Sequence, residues 1–201
     1  MVPAATRPAA RELDDLTLRR AQRGDGAAFR EVVERHHRAV WDLVTRLLAG
    51  TALAHRAEDL VQDTFVRVHR ALPGFDPAGP ARLSTWILTI ASRLALNELR
   101  RAPRAAATVP LDAAVDVAAA GESPAGALER EERAIAVARA IAALPEAGRV
   151  IVLLRAYHDL DYAEIADVLE VDVGTVKSRL SRARAQLRAR LRPHDRGDDH
   201  A

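Results

Sequence analysis

The sequence contains no cysteine, which excludes disulfides, thiol nucleophiles and cysteine-ligated zinc fingers. A reducing compartment suits such a chain, and the cytoplasm is the expected location. Lysine is nearly absent too: of the 30 basic residues only Lys177 is lysine, the others being arginine. With heavy alanine use this is the mark of a GC-rich genome, so arginine content alone says nothing about nucleic acid. Aromatics make up only 3% of the chain, leaving Ala, Leu and Val to build the core, and Ala favours close-packed helices over sheets. Nor is there a large charge excess: the net charge is +2, so any nucleic-acid signal must come from where charges sit. Around Pro3 and Pro8 there is no long apolar run, so neither a signal peptide nor a membrane span is expected.

What is present reads as helices. A helix starts near Asp14 or Asp15, is interrupted at Gly24-Asp25-Gly26, and is followed by a longer one from Ala27 to Ala49, with Gly50 as its stop. Phe29, Val33, Val40, Leu43 and Leu47 recur on it at helical spacing and predict a buried stripe. The next helix, Ala57 to Leu72, turns Val61, Phe65, Val68 and Leu72 inward and ends at Pro73-Gly74. After a Pro/Gly-rich loop, Ser84 is the expected N-cap of a helix through Arg101 whose apolar side carries Ile87, Ile90, Ala91 and Leu94.

Residues 105–127 carry Ala, Val, Gly and Pro with a few acids and read as a flexible linker. The expected fold is therefore all-α: two small helical domains, 13–104 and 128–192, between a disordered leader (1–12) and a disordered tail (193–201). The second domain has a charged helix to Leu144, a break at Pro145, an apolar helix through Tyr157, and two more helices, Asp161 to Leu169 and Val173 to Arg192. Only Glu170, Val171 and Asp172 separate the last two, which is the helix-turn-helix plan.

Asp161 and Glu164 fit a capping box, and Asp172 can cap the last helix. Val176, Leu180, Ala183 and Leu187 mark its buried side. Opposite stand Thr175, Ser178, Arg179 and Arg182, with Lys177 and Arg184 at the margins, and from Val173 to Arg192 there is no acid. A recognition helix needs this order, early residues reaching base edges and later arginines neutralising phosphates. A solvated basic face is the competing reading, and a stand-alone helix-turn-helix regulator remains open at this point. No clustered carboxylates, phosphate loop or activated nucleophile suggest an enzyme.

The string from Asp167 to Arg184, DVLEVDVGTVKSRLSRAR, resembles region four of extracytoplasmic-function (ECF) sigma factors, and Gly174 to Leu180 is its most specific part. Leu144-Pro145 and Tyr162 to Ala166 resemble the same family. Glu170 departs from the glycine common at that turn. The resemblance implies −35 binding by Gly174, Thr175, Lys177, Ser178, Arg179, Arg182 and Arg184. Ala57 to Phe65 resembles the region-two segment that docks on polymerase, implying Asp59, Leu60, Gln62, Asp63 and Val66 as core-binding residues. Ser84 to Arg101 resembles the segment that reads the −10 element. Trp86, Arg93, Asn97, Arg100 and Arg101 follow as candidates there, with Phe75 and Asp76 at the loop that takes a flipped base. Trp86 also borders the apolar stripe and reads as a core anchor.

The implied partners are core RNA polymerase, promoter DNA and, as for many members, an anti-sigma factor. No cofactor is assigned. His36 and His37 are adjacent, hence point apart on a helix and make a poor metal pair, and the His/Asp tail reads as a polar end rather than a metal site.

Overall fold

The computed structural model describes residues 13–102 and 124–191, with side chains in the second span from Arg130, and every regular element among them is helical. The helices are α1 (Asp15–Gln22), α2 (Gly26–Leu48), α3 (Ala57–Ala71), α4 (Leu83–Arg101), α5 (Pro124–Ala142), α6 (Glu146–Tyr157), α7 (Tyr162–Leu169) and α8 (Val173–Leu191). Single 3-10 turns, Ala54–Arg56 and Leu72–Gly74, flank α3. The all-α expectation holds.

Local chemistry sets the ends. Asp14 caps α1 by accepting from the Thr17 amide at 2.9 Å, and Asp25 caps α2 by accepting from Ala27 and Ala28 at 2.9 and 3.1 Å. Between them Gly24 takes φ +87°, a left-handed conformation that glycine adopts without steric cost. At the far end of α2 the chain turns at Gly50, φ +70°. The start of α4 differs from expectation. Leu83, not Ser84, opens the helix, and Arg82 occupies the cap position with no side-chain cap bond. Burial of Leu83 (3% exposed) draws the cap two residues further back, from Ser84 to Arg82, and places Ser84 inside the first turn.

Helices α2, α3 and α4 pack around Val40, Leu43, Leu47, Leu60, Val68 and Ile87, all essentially inaccessible. Each such side chain contributes about 1.5–3 kcal/mol by leaving water. Helix α1 lies on α2, and Gln22 Nε2 donates to the Leu72 and Phe75 carbonyls at 3.1 and 2.6 Å, pinning the loop before α4. In the second half α6, α7 and α8 share Ile151, Leu154, Ile165, Val168, Val176 and Leu180.

The two halves do not stand apart. Helix α6 packs on α2 and α7 on α4, and the buried residues of both halves form one continuous apolar cluster. Of the expected linker, residues 105–123 lie outside the described residues; α5 begins at Pro124, four residues ahead of the expected boundary at 128. Proline is tolerated there because an amide in the first helical turn has no intrahelical acceptor, so no helix hydrogen bond is lost. The polar leader and tail also lie outside the described residues.

Candidate nucleic-acid interface

The turn between α7 and α8 is built from carboxylates. Asp161 accepts from Ala163 and Glu164 amides at 2.8 Å, and Glu164 Oε2 accepts from the Asp161 amide at 2.8 Å, so the expected capping box is complete. Glu170 ends α7 at φ 54°, ψ 47°, the left-handed conformation that costs a residue with a Cβ about 1 kcal/mol or more. Its turn keeps the geometry a glycine would give. Asp172 then caps α8: Oδ1 accepts from the Thr175 amide at 2.8 Å and Oδ2 from the Thr175 hydroxyl at 2.6 Å. These bonds, the hydroxyl's first, hold the Asp172 carboxyl below its ordinary range.

Two glycines follow from this packing. A Cβ on Gly174 would come within 2.9 Å of Asp172 Oδ1, so Gly174 serves the cap. A Cβ on Gly148 would come within 3.3 Å of the Ala183 Cβ, which brings α6 close against α8. With Val176, Leu180 and Ala183 buried, the other side of α8 is open. Lys177, Ser178, Arg182 and Arg184 are exposed on it, while Thr175 and Arg179 are half-buried. Thr175 directs its hydroxyl proton to Asp172. Val173 and Ser181 are exposed on this helix as well, the valine in its first turn.

On α4 the predicted residues fall on a flank. Phe75 and Trp86 are brought together, ring centroids 5.1 Å apart, and Asp76 beside them caps the loop by accepting from the Ala78 amide at 2.9 Å. Arg93, Asn97, Arg100 and Arg101 are exposed, with Arg100 donating to Asn97 Oδ1 at 3.3 Å. The sequence places this row opposite the Ile87 stripe. That opposite side instead carries Thr85, Ser92 and Leu96, all buried. Thr85 turns to α7, donating to Glu164 Oε1 at 3.1 Å. Helix α4 thus has two covered sides, and the arginines line the edge between them.

Along α2 and α3 runs an open groove of about 810 Å³ lined by Phe29, Val33, His37, Trp41, Phe65 and Val66 among others. His37 stacks between Trp41 and Phe65, at 6.2 and 6.1 Å. Phe29 and Val33, expected in the core, are only partly covered: they pack against its edge and line this groove. Asp59, Gln62, Asp63 and Val66 are exposed along the same helix, whereas Leu60 is buried at 1% and faces the interior. Leu60 therefore supports this surface without reaching a partner.

Residues 32–105 match Sigma-70 region 2 and residues 134–187 match Sigma-70, region 4. The RNA polymerase sigma-H factor of Pseudomonas aeruginosa is 35% identical over 193 residues, spanning 90% of this chain and 95% of the relative. The chain belongs to the ECF RNA polymerase sigma factor family. The ECF RNA polymerase sigma-E factor of Escherichia coli is 33% identical over 187 residues, 90% of this chain and 95% of that one. A solved structure of CnrH in complex with the cytosolic domain of CnrY superposes at TM-score 0.62 with 26% identity, covering 89% of this chain and 96% of CnrH. The sigma factor RpoE of Bartonella quintana, solved with the anti-sigma factor NepR, shares the fold at TM-score 0.63 and 22% identity, over 82% and 96%.

As a sigma factor the chain works with core RNA polymerase in promoter-specific transcription initiation. Region two holds α4 and the α2/α3 groove, and region four holds the helix-turn-helix. Among the described residues no helix is long and apolar enough to cross a membrane.

Proposed function

We propose a division of labour in which region four grips −35 duplex, region two holds the −10 strand, and α3 binds the polymerase. The observation that carries it is the outer face of α8. It begins at a capped N-terminus and presents Lys177, Ser178, Arg182 and Arg184 with no acid on the helix. Arg179 and Ser178, near the helix start, read base edges, and the later arginines neutralise phosphates. On α4 Arg93, Asn97, Arg100 and Arg101 follow the strand backbone, and the Phe75/Trp86 pair offers a stacking wall beside Asp76. Gln62 and Val66, which line the aromatic groove, make the mixed polar and apolar contact with the polymerase together with Asp59 and Asp63, exposed on the same helix.

The protein performs no chemistry of its own; two modest DNA contacts gain effective concentration once both ride on one enzyme. It acts in the cytoplasm, and an anti-sigma partner controls it, as the names of RpoE–NepR and its kind suggest. Domain limits of 13–104 and 128–192, the second extended back to take in the whole of α5 from Pro124, suit this scheme. Adding the purified chain to core polymerase should produce transcripts from a defined start site. Arg179→Ala should weaken −35 recognition with core binding intact, and Asp63→Arg should abolish core binding while duplex binding by the chain survives. Equal loss of both activities in each variant would overturn the division.

A further inference from the structure

Helix α1 precedes the segment that matches Sigma-70 region 2, which begins at residue 32. One flank of it is held against the loop that leads into α4. It packs on the Leu72–Gly74 turn, and Gln22 Nε2 donates to the carbonyl of Phe75, the residue whose ring lies against Trp86. Thr17, Leu18 and Ala21 are buried and set the inner side of the helix. With about 3.6 residues per turn, Arg19 falls roughly 60° and Arg23 roughly 100° around from Gln22, both away from that inner side. Both are exposed. Arg20 lies further around and is engaged with Asp25 at 2.7 Å.

Arginine is the default cation of this chain, so place and pairing carry the argument rather than number. Among the described residues neither the Arg19 nor the Arg23 guanidinium pairs with a carboxylate, Asp15 one turn before Arg19 included. Arg23 Nε donates to the Arg19 carbonyl at 3.2 Å, which leaves its two terminal nitrogens for a partner. Like charges one turn apart destabilise a helix, and an anion held between them removes that cost.

From Arg101, at the end of the Arg93 to Arg101 row, the chain leads on to region four, the −35 reader, so that end of α4 is upstream and the Phe75 loop downstream. A strand that follows the row and turns a base in at Phe75 and Trp86 next reaches α1. We propose that Arg19 and Arg23 hold the phosphates of the −10 strand just downstream of the flipped base, extending the strand contact onto α1. This rests on the reading of the Phe75/Trp86 loop as the place of that base. The ligand is sugar-phosphate backbone, because two guanidiniums on an open helix face offer charge and no wall against which a base edge is read. The contact adds affinity without adding sequence preference.

The test uses the chain bound to core polymerase and two single-stranded −10 oligonucleotides, one ending at the flipped base and one extended several nucleotides toward the start site. Arg19→Ala with Arg23→Ala should weaken binding of the extended strand roughly tenfold, leave the short one within about twofold of the parent, and lower the salt slope of log K by about 1.4. Arg19→Lys with Arg23→Lys keeps the charge and should retain the parent's affinity and slope, which a purely structural role for the arginine fork would not allow. A control, Arg30→Ala with Arg139→Ala, exposed on α2 and α5, removes equal charge and should leave both strands unaffected. Thermal unfolding and core binding of every variant should match the parent.

An equal loss on the two oligonucleotides, no loss on either, or a loss matched by the control overturns the assignment. Abasic substitution tests the underlying reading by itself. The position at which removing the base weakens binding by the parent but not by Phe75→Leu is the flipped one, and the short oligonucleotide ends there. If no position behaves so, the loop reading fails and the α1 contact with it; if one does and the alanine pair binds like the parent, only the α1 contact fails.

Discussion

Arg149 of α6 donates to the main-chain carbonyl of Leu47 at 2.7 Å, joining residues 102 apart in the chain. The same guanidinium reaches the carbonyls of Ala49 at 3.1 Å, Leu144 at 3.3 Å and Ala142. It therefore sits between the C-terminal ends of α2 and α5, where the carbonyls left over by each helix and the negative ends of both dipoles favour a cation. Burial pulls its pKa below the ordinary arginine value, an effect Glu146 opposes. The fork geometry of arginine is what lets one side chain serve both ends.

Replacing Arg149 with methionine fills the volume but leaves those carbonyls without a donor. A buried polar group left unpaired costs about 1–3 kcal/mol, so the loss should fall in that range or above it. Urea unfolding of the parent should follow one transition, and Arg149→Met should separate it into two as region two and region four uncouple. A single transition at the parental midpoint would contradict the clasp.

Asp172 predicts a pH response of known sign. Its carboxyl titrates below the ordinary 3.8 in the fold, because Thr175 bonds the ionised form. The folded state thus binds the proton more weakly than the unfolded state. The cap's contribution is present above 3.8 and is lost as pH falls through the lower folded value. Asp172→Asn, which still caps, should flatten this part of the acid branch of the stability curve, read as denaturation midpoint between pH 5 and pH 2, both rough bounds.

Arg182 is exposed and carries no acid partner on its own helix, its Nε resting on the Ser178 carbonyl at 3.3 Å. Arg182→Ala should weaken −35 duplex binding and lower the salt slope of log K by about 1 if the guanidinium meets a phosphate. A changed base preference at constant slope would instead place it on a base edge.

Glu170→Gly removes a left-handed residue with a Cβ and should raise stability by about 0.5–1 kcal/mol, seen as a higher melting temperature. The Arg93 pair it forfeits is too exposed, 49% and 73%, to cancel that gain. A lower melting temperature would mean the pair contributes more than exposed ion pairs do.

Much of this protein was legible one helix at a time. Asp14, Asp161 and Asp172 announce helix starts because a cap bonds amides two or three residues away, a distance the sequence encodes directly, whereas Asp25 reads only as part of a break and caps α2 as well. The Val176, Leu180, Ala183 stripe and the acid-free outer face of α8 are likewise local, and with them came the helix-turn-helix and the family. Where a residue serves a distant partner, periodicity fails. Phe29 and Val33 read as core and line a groove, since what covers them depends on the other helices and not on their spacing along α2. Leu60 read as a contact and is interior.

The sequence by itself determined the all-α class, the ends of the carboxylate-capped helices α7 and α8, and the location of a basic recognition face, because each depends on neighbours within a few turns. Tertiary structure alone decided that region two and region four share a core, that Arg149 clasps two helix ends, and that α4 is covered on a second side. Those facts depend on contacts across more than 75 residues, such as Thr85 with Glu164 and Leu47 with Arg149, which no helical period records.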